Sequence, residues 1–154
     1  MKWLSTQSDS RHKVYELGTN REKLATLTYH PASGTVRIST DDEKRVFSVG
    51  REGFIRSRIV LRNEYGIRIA QLLHDGGPED NQGIIEIAGE EFNYTLKRGA
   101  APEAFLYKNN DVLAACELPQ ISKDLPENSD QDLLLLTLCW YISATVKRQQ
   151  VEFA

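Results

Sequence analysis

Hydrophobic and polar residues alternate one by one along most of this chain. Phe92, Tyr94 and Leu96 take one side of a run whose other side is Asn93, Thr95 and Lys97. Val36 and Ile38 flank Arg37. Ile55, Ile59 and Leu61 oppose Arg56, Arg58 and Arg62, and Ile67 and Ile69 oppose Arg68. Ile85 and Ile87 flank Glu86, while Cys116 and Leu118 flank Glu117. Successive side chains on an extended backbone point to opposite faces, so a period of two puts one face in a core and the other in water. Turn signals recur about every ten to twelve residues, from Gly18-Thr19-Asn20 to Asn109-Asn110-Asp111. Gly, Asn and Asp tolerate the left-handed conformations that tight hairpins need. The spacing predicts a meander of about ten to twelve antiparallel strands between residues 2 and 118.

The pattern then breaks. Residues 119–128 carry Pro119 and Pro126 and read as a linker. Leu133 to Val146 follows, apolar on almost every side. A helix that is hydrophobic all round must be enclosed. Ser129 and Asp132 fit the Ser-x-x-Asp capping pattern. Asp130 and Asp132 sit where the helix dipole favours anions, and Lys147 and Arg148 where it favours cations. These signals predict a helix over about 130–149, about 30 Å long. Ten or more strands closed on themselves leave a cavity too wide for their own side chains, and one helix about 10 Å across would fill it. The expected fold is therefore mainly β: one domain over 1–154, a closed antiparallel β-barrel around a central hydrophobic C-terminal helix. Ala114, Ala115, Ser143 and Ala144 are small enough to let helix and sheet approach. The alternative arrangement has the helix packed outside and the interior open, as in a lipocalin-like carrier of a small apolar ligand.

The order of elements resembles the tubby C-terminal-like superfamily, which includes tubby proteins, LURP-one-related proteins and phospholipid scramblases. The hairpin series from Lys13 to Leu118 and the segment DLLLLTLCWYISATVK at Asp132 to Lys147 carry the resemblance. It spans nearly the whole chain and rests on element order. It implies a closed barrel with a buried C-terminal helix, and binding of phosphoinositide headgroups by basic residues on the barrel exterior. The chain is shorter than most members, so one or two strands are expected to be missing or very short. Scramblases carry an acidic calcium-binding segment near the terminal helix, and Gln149 to Ala154 does not resemble it. No EF-hand spacing occurs, so calcium-triggered scrambling is not expected.

Charge sharpens the picture. The net charge is −3, which gives no whole-chain reason to expect nucleic acid. Yet Lys44 to His74 holds seven basic residues against two acids, a net of +5 that leaves −8 on the remainder. Arg56, Arg58, Arg62 and Arg68 fall on outward positions of one hairpin that closes at Asn63 to Gly66. Side chains two apart on a strand share a face, and cross-strand neighbours lie beside them. The arginine fork suits phosphate. These four residues are the candidate contacts for an anionic phospholipid headgroup or another phosphorylated ligand, with an ordinary solvated outer face as the plain alternative.

Other chemistry is sparse. His12, His30 and His74 stand at none of the usual metal spacings and read as surface or turn histidines, His30 at a strand end and His74 at the entry to a loop. No Gly-x-Ser-x-Gly elbow and no phosphate loop opening a helix is present. Asp75, Glu79 and Asp80 read as a solvated acidic loop. No catalytic residue, metal or cofactor is expected. Cys116 and Cys139 lack a CxxC partner and read as packed, reduced thiols of a cytosolic protein. The first thirteen residues have no apolar core of a signal peptide, and the C-terminal apolar run is short for a membrane span. The expectation is a cytoplasmic binding module, peripheral to a membrane if it takes lipid, or a scaffold for a protein partner.

Overall fold

The alternating segments form eleven strands. They are β1 (Lys2–Ser8), β2 (Lys13–Gly18), β3 (Lys23–His30), β4 (Thr35–Ser39), β5 (Lys44–Glu52), β6 (Arg58–Arg62), β7 (Arg68–His74), β8 (Gln82–Ile87), β9 (Glu90–Lys97), β10 (Glu103–Lys108) and β11 (Asp111–Glu117). One helix, α1 (Ser129–Glu152), follows. The structure is a computed structural model that describes residues 1–9, 11–53, 58–74, 81–119 and 129–152, with side chains from 130 to 146 in the last stretch.

Each strand pairs antiparallel with the next, and β1 meets β11 to close a barrel. An up-and-down meander with an odd number of strands brings its first and last members together running the same way. The closure is accordingly parallel, and among the described residues it consists of one register pair, Lys2 with Glu117. The other ladders hold five or six pairs each.

The inward positions and the helix form one core. Leu17, Leu27, Val36, Ile38, Phe47, Ile59, Leu61, Leu72, Ile85, Phe92, Tyr94, Leu96 and Leu106 pack with Leu133 to Leu136, Leu138 and Trp140. Every helix residue from Gln131 to Trp140 is buried. Full burial of each leucine is worth roughly 1.5–3 kcal/mol as an upper estimate. The Trp140 indole meets the Phe47 ring edge-on at 5.4 Å. Buried Thr137 satisfies its hydroxyl on the Leu133 carbonyl one turn back, at 2.8 Å. The interior is thus filled, and a carrier of lipocalin type would need the room the helix takes.

The first turn of the helix is tied to opposite walls. The Asp130 carboxylate accepts from Lys13 Nζ and from the Tyr15 hydroxyl on β2, both at 2.7 Å. The Asp132 carboxylate meets His74 Nε2 on β7 at 3.0 Å. In the ring of eleven strands, β2 and β7 stand five apart one way and six the other, which is diametric opposition. Residues two apart on a helix point about 200° apart, so consecutive acids can reach facing walls. Trp3 on β1 adds a third tie, its indole N–H donating to the Leu134 carbonyl at 3.1 Å.

Several expectations are corrected. His74 is buried, because it shares the inward side of β7 with Ala70 and Leu72. Ile67 is 60% exposed on the hairpin tip. Ala115 points outward and only Ala114 is buried. Val146 is 45% exposed, because the helix emerges from the core beyond Ala144. The helix continues to Glu152, so Lys147 and Arg148 precede its last turn. Asp132 is turned to His74 rather than to the capping role, and its Oδ1 has no hydrogen-bond partner. The linker, residues 120–128, and most of the acidic loop, residues 75–80, lie outside the described residues.

Candidate functional site

The β6–β7 hairpin carries the arginine face, and its turn is tightly built. Asn63 Oδ1 accepts from the backbone N–H groups of Tyr65 at 2.9 Å and Ile67 at 3.0 Å. Gly66 takes a φ of 76°, a conformation that glycine adopts without a Cβ penalty. Its carbonyl accepts from Arg62 Nη1 at 3.0 Å. A bulge then sets the register. Leu61 pairs with Ala70, but Arg62 pairs with Arg68, which leaves Ile69 as the extra residue. Strict alternation from His74, Leu72 and Ala70 would aim Arg68 into the barrel; the bulge turns it to the outer face beside Arg62.

The neighbouring strand completes the face. Glu52 ends β5 directly opposite Arg58, and Ser48 lies opposite Arg62. The Arg62 guanidinium grips one oxygen of Glu52, Oε1, with Nη2 at 2.7 Å and Nε at 3.2 Å. Both side chains remain 36% exposed. The Arg62 hydrogen bond, aided by the charges of Arg62, Arg58 and Arg68, holds the Glu52 carboxyl below its ordinary range. Arg68 Nη1 leans on Gln71 Oε1 at 3.5 Å, and Gln71 Nε2 donates to Glu86 at 3.1 Å. Arg58 Nε is buried without a hydrogen-bond partner. Val60 lies between Arg58 and Arg62 on this face, yet is only 2% exposed.

Arg58, Arg62 and Arg68 all take outward positions of this hairpin, with Arg62 and Arg68 directly opposite each other. Arg56 lies outside the described residues. The face reaches Glu86 only through Gln71, and the acid that meets it directly is Glu52. The face can receive a negatively charged group through guanidinium forks, the geometry that suits carboxylate and phosphate. Among the described residues no group of three His, Cys, Asp or Glu side chains could hold a metal ion.

A second polar cluster was not legible as a site. The Tyr94 hydroxyl meets His74 Nδ1 at 2.8 Å, and His74 Nε2 meets Asp132 at 3.0 Å. The His74 and Asp132 side chains are 4% and 2% exposed. The signal that could have exposed it is inward parity: His74 stands two and four residues beyond Leu72 and Ala70, and Asp132 directly precedes the apolar run Leu133 to Leu136. With both ring nitrogens engaged and solvent excluded, the cluster anchors the helix and offers no open face to a substrate.

No protein-family model, no curated protein and no solved structure matches this chain. No helix among the described residues is long and apolar enough to cross a membrane.

Proposed function

We propose that this protein is a non-enzymatic binding module that recognises phosphate-bearing anions, such as an anionic lipid headgroup, on the outer face of the β6–β7 hairpin. One observation carries the reading: Arg58, Arg62 and Arg68 take outward positions of one hairpin, and the Arg62 guanidinium already grips a carboxylate, that of Glu52. The filled interior supports an exterior site, since the helix takes the space an enclosed ligand would occupy. The order of elements, which resembles the tubby C-terminal-like superfamily, points the same way. Arg58 and Arg68 make the first contacts, while the Arg62 fork is held by Glu52 and Gly66 until the carboxylate gives way.

The test is sedimentation with lipid vesicles. Vesicles carrying a polyanionic phospholipid should carry the protein down and zwitterionic vesicles should not, with binding that weakens as salt screens the charges. Replacing Arg58 and Arg68 together by Ala should abolish the binding. Equal binding to both vesicle types, or binding indifferent to the two replacements, rejects the proposal.

A further inference from the structure

We infer that Glu52 is a built-in counter-anion of the arginine face, and that an incoming phosphate group binds by taking its place on Arg62. The inference rests on the proposed function and adds what governs access to that site.

The geometry supplies the argument. Among the outward positions of β5, β6 and β7, Glu52 is the one acid, and it stands in register with Arg58. Two nitrogens of Arg62 donate to the same Glu52 oxygen. Arg68 adjoins Arg62 across the hairpin. A carboxylate held in this way marks where negative charge is welcome. It is also a partial occupant, because its hydrogen bonds go to Arg62 and none is made to Arg58 or Arg68. A phosphate monoester offers three acceptor oxygens and close to two charges, against two oxygens and one charge for a carboxylate. It can engage the Arg62 fork and still present oxygens to Arg58 and Arg68.

Displacement is feasible. The pair is more than a third exposed, and ion pairs at that depth are weak in water and exchange with solvent ions. Glu52 immediately precedes Gly53, whose φ of 104° is a conformation that side-chain-bearing residues rarely take. The carboxylate therefore hangs at a strand end, where a rotation about its own side chain clears the guanidinium. Glu52 sets a threshold: a monovalent carboxylate solute gains nothing by replacing it, whereas a multiply charged phosphate does.

The experiment compares the full chain with Glu52→Gln, Glu91→Gln and the double variant Glu52→Gln/Arg62→Ala. Inositol hexakisphosphate is titrated by calorimetry, and vesicles with and without a polyanionic phospholipid are sedimented, all at one ionic strength. Glu52→Gln should bind about five-fold more tightly than the unaltered protein. Glu91→Gln, which removes an equal charge from exposed β9, should leave affinity unchanged, and the double variant should lose the gain. A gain with the soluble probe alone identifies a free phosphorylated ligand; a gain with vesicles identifies a headgroup. Binding to Glu52→Gln where the unaltered protein shows none also upholds the inference. If the unaltered protein binds and Glu52→Gln binds no better, or if Glu91→Gln gains equally, the inference is overturned while the proposed function stands. If neither protein binds either probe, both are overturned.

Discussion

His74, the last residue of β7, holds Asp132, in the first turn of the helix, at 3.0 Å inside the barrel. That contact joins a strand end to the core helix across 58 residues of chain. Removing one partner of a buried pair strands the other without compensation. His74→Phe should therefore destabilise the fold by about 3–5 kcal/mol in urea titration. Asp132→Asn, which keeps the shape and an acceptor for the imidazole, should cost about 1 kcal/mol. Equal and small effects of both would show that the contact does not latch the helix.

Gly83 makes room for the same cluster. A Cβ at this position would collide with the Leu73 carbonyl oxygen and lie 2.6 Å from the Tyr94 hydroxyl. The first obstacle is backbone, which cannot move aside without breaking the β7–β8 ladder. Gly83→Ala should lower stability by about 3 kcal/mol in the same measurement, and should loosen Tyr94, read as faster ring flipping by NMR. A neutral Gly83→Ala would mean that the two strands are not this close.

The pair of Glu52 with Arg62 predicts a direction in acid. The folded carboxyl titrates below its unfolded value, chiefly through the Arg62 hydrogen bond. Its contribution is then complete above the unfolded value and is lost as the pH falls through the lower, folded one. A carbon-13 titration should place Glu52 below a free glutamate, and Arg62→Ala should return it upward. An unshifted Glu52 would remove the ion pair from the solution structure.

The thiols predict a direction in base. Burial pushes the Cys116 thiol up to about 12 and raises Cys139 too. Both cysteines are free and buried, so neither should react with a disulfide reagent until denaturant is added. In the unfolded chain they ionise near the ordinary value of 9.0, while the native protein keeps its protons. Stability should therefore fall as the pH rises above 9.0, visible as a lower melting temperature. Rapid labelling of native protein would contradict the packing of both strand and helix.

The barrel was legible because its signal is redundant: each strand repeats the alternation, and the helix between Leu133 and Trp140 has no polar side to show to water. The arginine face was legible for the same reason, although Arg68 reaches it only through a bulge that no pattern at Ile67 to Ala70 announces. Ile67 shows the cost of that silence: alternation alone counted it inward, and the tip exposes it. His74 escaped because a histidine followed by Asp-Gly-Gly looks like the exposed entry to a loop, and its partner arrives from the far end of the chain. The acid that meets Arg62 escaped because Glu52 belongs to the preceding strand, and cross-strand register is a tertiary fact.

The order of parts along the chain has a consequence for assembly. A rod that follows all its strands in the sequence cannot be threaded through a finished cylinder without exposing its leucines along the way. The wall must instead wrap around it, and the single-pair junction of β1 with β11 is the slit with least to unfasten. Shutting that slit is then expected to be the final act of folding, licensed by what already lies inside. A chain stopped at Asn128 should leave it ajar and lose its cooperative melt by calorimetry; a sharp transition in that fragment would show that the cylinder needs no mandrel.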